Sequence, residues 1–344
     1  MTKYHPLREL VLARLKEFLR EPAAIFWVYG FPLLLALGLG IAFRNRPGEQ
    51  VFVDVQEHEA AVKVLRALSK RPGFVASIHP PVECRERLRL GKSSIVVLPG
   101  NAYTFLFDPT RPESILARKE VDDVLQREAG RQDPVSTRDE PVAEPGARYI
   151  DFLVPGLLGM NLMGGGLWGV GFVIVDMRVR KLLKRLVATP MKRSDFLWSM
   201  IGGRLAFMAP EVLIILGAGA LFFDIAVKGS WLSIAIVSLS GAVAFGGLGL
   251  AIACRAQRLE TISGLMNLTM LPMWLLSGIF FSPDRFPGAL QPLVQALPLT
   301  QLNYALRAVI LEGASLTSQA WRIGFLILWG GASFLCALRW FRWN

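Results

Sequence analysis

Gly91-Lys92-Ser93-Ser94 ends like a phosphate-binding loop, in which backbone amides cradle phosphates and the lysine reaches them. That pattern needs a glycine at position 86, and Glu86 stands there. The order is also reversed, because a phosphate loop opens a helix whereas this segment precedes a strand-like run. A helix-ending glycine followed by a surface turn is the better reading, and the chain shows no ATP site of its own. His5, His58 and His79 share no metal-ligand spacing, so no metal site is expected. Cys254 and Cys336 lie at or in apolar runs and Cys84 is alone in polar sequence, which excludes a disulfide there. Asp122 and Asp123 fall on a solvated helix face. No Ser/His/Asp, Cys/His or HExxH arrangement stands out, so no catalysis and no bound cofactor are expected.

Glu211 does stand out, in an otherwise uncharged run just after Pro210. An ionisable group inside a bilayer is costly and marks a functional site by default. The bland alternative is that it snorkels or meets a basic residue such as Arg204. Asn161 and Asn267 also interrupt apolar runs and are candidates to line a path. Interhelical hydrogen bonding is an equal alternative. Gly165 with Gly169, and Ala242 with Gly246, are small pairs at four-residue spacing that permit close helix packing.

Stepping out from these residues, the chain is 53% hydrophobic and only 19% charged over 344 residues. Several windows of about 20 residues carry no charge, the length needed to cross a bilayer. The pattern predicts six spans: Ala24–Phe43, Phe152–Val175, Leu205–Phe223, Trp231–Ala253, Thr261–Phe281 and Trp321–Trp340. Residues 1–22 lack the form of a signal peptide. Leu7, Leu10, Val11, Leu15 and Phe18 recur at helical spacing, with charges on the other face, which predicts an amphipathic surface helix. Residues 286–311 are apolar but hold Pro287, Pro292, Pro298, Asn303 and Arg307, and read as short helices dipping into the outer leaflet and returning.

Net charge is +11, unevenly spread. Between Arg44 and Arg148 there are 17 Lys/Arg against 16 Asp/Glu, so the excess lies beside the spans. No basic stripe with interleaved aromatics appears, which argues against nucleic-acid binding. Met177–Arg204 carries eight Lys/Arg and one acid, Asp195, and is assigned to the cytoplasm. Six spans then put both termini inside and residues 44–150 outside. Within 44–150, strand candidates Val51–Val55, Phe74–Ile78, Ser94–Leu98 and Tyr103–Phe107 alternate with helical stretches Glu57–Lys70, Val82–Leu90 and Glu113–Ala129. That is an α/β domain followed by a linker over 130–148. The expected fold is therefore an α-helical membrane protein of one plus five spans: a surface helix 1–22, a first span 23–43, an extracytoplasmic domain 44–150 and a five-helix block 151–344.

The segment Asp176–Arg204 combines a cationic helix with Thr189-Pro190, which breaks it. Arg185-Leu186-Val187-Ala188-Thr189-Pro190 resembles the cytoplasmic coupling loop of ABC type-2 exporter permeases. Lys16-Glu17-Phe18-Leu19-Arg20-Glu21-Pro22 is similar to that family's connecting helix. Val53-Asp54, Ile95–Leu98 with Pro99, and Phe107-Asp108-Pro109 resemble its inserted domain. Leu297-Pro298-Leu299-Thr300 and Tyr304-Ala305-Leu306-Arg307 resemble the stretch before its last span. The chain departs from the family where an acidic residue often enters the coupling helix, since Arg178, Arg180 and Lys181 stand there.

The resemblance implies a permease subunit of an ATP-driven exporter in a bacterial inner membrane. ATP and Mg would belong to a separate ATP-binding subunit, gripped through Lys184, Arg185, Leu186, Thr189, Pro190, Phe18 and Arg20. It also implies pairing with a second permease, identical or homologous, contact with membrane lipids, and room for a periplasmic adaptor. Glu211, Asn161 and Asn267 would lie on the path of a lipid, drug or other amphipath. The alternative from another class is a membrane-anchored envelope scaffold acting through its outer domain.

Overall fold

The computed structural model describes residues 6–44, 50–100, 102–135, 137, 148–188 and 193–340. Two compact units emerge, 1–44 with 142–344 and 45–141. Helix α1 (Pro6–Leu19) opens the first. Its half-buried residues Leu10, Val11, Arg14, Leu15 and Phe18 form one stripe, so the helix packs along its inner face. A turn at Arg20 leads into α2 (Pro22–Ile25), a π-helical stretch over Phe26–Gly30 and α3 (Phe31–Arg44).

The second unit is a small α/β fold. Strand β1 (Val51–Gln56) leads to α4 (Ala61–Ser69), β2 (Phe74–His79), α5 (Pro81–Arg89), β3 (Ile95–Leu98), β4 (Thr104–Leu106) and α6 (Pro112–Glu128). The sheet order is β2-β1-β3-β4, parallel except for the β3–β4 hairpin. Val53, Val55, Ile95 and Val97 point to one face and pack under Val64, Leu68, Val121 and Leu125 of the helices. The alternation of strand side chains turns Asp54 to the opposite face. It is buried there, with Arg87 Nε donating at 2.9 Å. Gly91 has φ of +70° and follows α5, with Gly91 and Lys92 amides donating to Leu88 and Arg87 carbonyls. This is a helix C-terminal cap, in which glycine suits the left-handed backbone.

The first unit resumes with α7 (Tyr149–Gly166), a second π-helical stretch over Leu167–Phe172, α8 (Val173–Val179), α9 (Leu182–Val187), α10 (Arg193–Phe223), α11 (Trp231–Ala253) and α12 (Leu259–Leu276). Two 3-10 turns, α13 (Gln291–Ala296), α14 (Pro298–Glu312) and α15 (Ala320–Trp340) complete it. Among the described residues, five helical segments are long and apolar enough to cross a membrane: 22–41, 149–179, 195–223, 231–253 and 320–340. The chain is a multi-pass membrane protein.

Three expectations change here. The span expected over Thr261–Phe281 is helical only to Leu276 and is not among those five. Ser277 caps it and Gly278, at φ +75°, turns the chain away. The segment 176–204 holds the expected cationic helix as α9, but the helix of the next span begins at Arg193 rather than near Leu205. Its last third belongs to α10, where Phe196, Leu197, Met200 and Ile201 are buried, so an apolar periodicity outweighs the basic count. The small pairs also miss their register. The close approach of the second span to α11 is made by Gly166 and Gly249, and that of α11 to α15 by Gly247 and Gly330. A Cβ on Gly249 would stand 2.4 Å from the Gly166 carbonyl oxygen. Around Gly169 there is open space instead.

Candidate functional site: an aromatic cavity beside a buried ion pair

A cavity of about 810 Å³ opens between α1, the first span, the second span, α10 and α12. Both π-helical stretches line it. Trp27 and Val28 come from the first, and Trp168, Gly169 and Phe172 from the second. A π stretch adds a residue to one helical turn, so it re-aims side chains and frees a carbonyl. Asn161 Nδ2 takes up one of these, donating to the Val28 carbonyl at 2.9 Å. Phe18 stacks on Phe207 at 4.1 Å between centroids and meets Tyr29 edge-on at 5.9 Å. These contacts tie α1 to the first span and to α10.

Glu211 is fully buried, and Arg204 Nη1 lies 2.7 Å from its Oε2. Seven residues apart, the two are two turns along one face of α10. Gly165 makes the room: a Cβ there would fall 2.1 Å from the Arg204 guanidinium carbon. Arg204 itself lines the cavity, while Glu211 stands behind it. Pairing offsets part of the cost of holding the two charges in an apolar medium.

Asn161, Asn267 and Phe18 thus meet in one cavity, and Glu211 reaches it through Arg204. Asn161 is also the interhelical hydrogen bond weighed as its alternative. Arg20 is exposed at the end of α1, away from that lining. Lys184 and Arg185 project outward from α9, whose Leu183 is buried in the core. Leu186 is in the same helix, and Thr189 and Pro190 lie outside the described residues.

Arg178 opens the basic run that continues with Arg180 and Lys181. It is buried and donates to the carbonyls of Ala253, Cys254 and Ala256 at the end of α11. A cation at a helix C-terminus satisfies the last carbonyls and the helix dipole together. Arg180 pairs with Asp176 at 3.0 Å instead, and Lys181 turns the chain at φ +60° into α9.

A second buried polar seam was not singled out as a site by the sequence. Asn303 donates to the Ser277 carbonyl at 2.8 Å. The Arg307 guanidinium lies 3.6 Å from the centroid of the Phe152 ring and donates to the Phe152 and Gly278 carbonyls. These side chains close the carbonyls freed where α12 ends. Residues 286–311 therefore hold one 3-10 turn (Gly288–Leu290) and two helices, with α14 too short at 15 residues to cross a bilayer alone.

The α/β unit also holds an arrangement the sequence did not reveal. Ser77 and His79 share one face of β2, and His79 Nδ1 lies 3.1 Å from Glu83 on α5. The Ser77 hydroxyl, 3.0 Å from His79 Nε2, donates to Asp54 at 3.2 Å. Asp54 is in turn held by Arg87, so the hydroxyl belongs to a structural network. Beside it, burial pushes the Cys84 thiol up to about 11, an unreactive cysteine. No cluster that could hold a metal exists among the described residues.

Comparison with known proteins places this geometry. The ABC-2 type transporter family model matches residues 97–311. The chain is 26% identical over 157 residues to the inner membrane transport permease YadH of Escherichia coli, covering 46% of this chain and 61% of that one. It is 25% identical over 187 residues to nodulation protein J of Rhizobium meliloti, covering 53% and 69%. It is 23% identical over 205 residues to ABC transporter G family member 20 of Dictyostelium discoideum, covering 59% and 28%. The chain thus spans 61% of the length of YadH and 28% of that of the Dictyostelium protein.

Proposed function

From the premise that the chain belongs to the ABC-2 type transporter family, we propose that it is the permease subunit of an ATP-driven ABC exporter. The observation that carries this reading is the cavity of about 810 Å³ among helices long enough to cross a membrane. Neither a membrane anchor nor a scaffold needs such a chamber, and both π-helical stretches face it. The chain supplies the path and no ATP chemistry; a separate ATP-binding subunit carries ATP and Mg. Residues 176–204 face the cytoplasm, as their cationic excess supports, and 44–150 lie on the other side. The membrane is a bacterial inner membrane, and α12 with the 3-10 turns completes a sixth crossing.

Coupling runs through α9. Its exposed Lys184 and Arg185 present a cationic face to an ATPase, while buried Leu183 ties it to the core. Arg178, one turn before the bend at Lys181, links that loop to the end of α11. A push on α9 thereby reaches the helix at the centre of the bundle. A second permease covers the exposed residues of the first span and α12, such as Leu34, Leu268 and Leu271.

The test is co-purification with a candidate ATP-binding subunit, followed by ATPase assay in lipid. Lys184→Asp with Arg185→Asp should abolish association while the chain still elutes as a folded species. Full retention of binding refutes the docking role of α9. Absence of any ATP-dependent substrate movement in vesicles holding both subunits refutes the permease reading.

A further inference from the structure

The cavity's lining also bears on what enters it. Its volume of about 810 Å³ is within the range of about 300–1,000 Å³ usual for small-molecule sites. Seven aromatic side chains wall it, among them Phe18, Trp27, Trp168, Phe207 and Trp274. Flat rings present their negative faces to cations and stack on other flat rings.

The charges are just as informative. Arg14 lines the cavity, but its guanidinium is taken up by Glu17 at 2.6 Å. Arg204 is neutralised by Glu211 at 2.7 Å. Glu21 lines the same space and has no cationic partner among the described residues. The site therefore carries one carboxylate in excess and no spare positive charge. An anion entering it meets only repulsion, because both arginines are already paired.

Two buried donors are left over. Arg204 Nε and Trp274 Nε1 have no hydrogen-bond partner, and both residues line the cavity. Both atoms are shut off from the cavity's open space, so recognition there rests on the rings and on Glu21.

We propose that the cavity bounded by α1, the two π-helical stretches, α10 and α12 binds aromatic amphipathic cations. Glu21 supplies the counter-charge and the tryptophans the stacking surface. That such a molecule is cargo rests on the permease reading; its binding does not.

Two dyes with one ring system and opposite net charge test this. Tetramethylrhodamine ethyl ester is cationic, and sulforhodamine B is anionic. The full chain in phosphatidylcholine nanodiscs should raise the anisotropy of the cationic dye saturably, one dye per chain, above empty nanodiscs. Glu21→Gln and Trp27→Ala, both at exposed positions, should each weaken binding roughly fivefold. Sulforhodamine B should not displace it. Equal displacement by the anion, or unchanged binding in both variants, overturns the proposal. So does binding in detergent that vanishes in nanodiscs, which assigns the cavity to bilayer lipid or a second copy of the chain. Dye binding as described without ATP-dependent dye movement in vesicles with the ATPase leaves the site standing and removes the permease reading. ATP-driven movement of another cargo without dye binding does the reverse.

Discussion

The second span has two faces built on opposite terms. Toward α11 the backbones touch, with Gly166 and Gly249 so close that no side chain fits between them. On its other side the π stretch, whose Leu167 and Gly171 still meet Gly249 of α11, opens on a cavity, where Gly169 has nothing near it. Burial follows the same division: 67% of the α11 span is buried in the chain, against 17% of the first span. In lipid, apolar burial gives helices little reason to associate, so packing quality decides which contacts are permanent. The α11 side is a rigid hub, and the cavity side is the part free to change partners.

The largest effect should come from breaking the hub. Gly249→Leu puts a side chain into the Gly166 carbonyl and should abolish monodisperse protein on size-exclusion chromatography, whereas Gly169→Leu should elute normally. Equal behaviour of the two variants erases the contrast. Next is the ion pair. Glu211→Gln strands the Arg204 charge and should destabilise the chain by about 3–5 kcal/mol, read as thermal unfolding in detergent. Arg204→Met combined with Glu211→Leu should recover most of that loss. Failure to recover gives the pair a role beyond charge neutralisation.

Arg178→Met comes third. It frees the three carbonyls at the end of α11 and should cost about 1–3 kcal/mol, while also lowering ATPase stimulation if α9 speaks to the hub through it. The smallest effect is expected at Asn161→Ala. It leaves the Val28 carbonyl without its partner, about 1 kcal/mol by thermal unfolding. A loss as large as that of Glu211→Gln would mean that the π stretch of the first span is part of the hub after all.

Much of the helix layout was legible because bilayer thickness and side-chain periodicity impose long, repeated patterns. The strands and helices of residues 51–128 could be read from alternation against turn residues, as β2 and α6 illustrate. Glu211 was legible as an anomaly, since any charge in an apolar run is one. Its partner Arg204 was named only as the bland alternative, because two positions seven apart say nothing about whether the neighbouring helix leaves room. That room is the missing Cβ of Gly165.

The sequence by itself determined which segments are apolar and where charge gathers. Only the tertiary structure decided the rest: that Arg178 is buried as a helix cap rather than offered to a partner, that the close glycines are Gly166 and Gly249, and that Asn161, Asn267 and Phe18 share one cavity. The reason is physical. Composition and period act along one helix, whereas π stretches, glycine contacts and freed carbonyls take their meaning from the helix packed alongside.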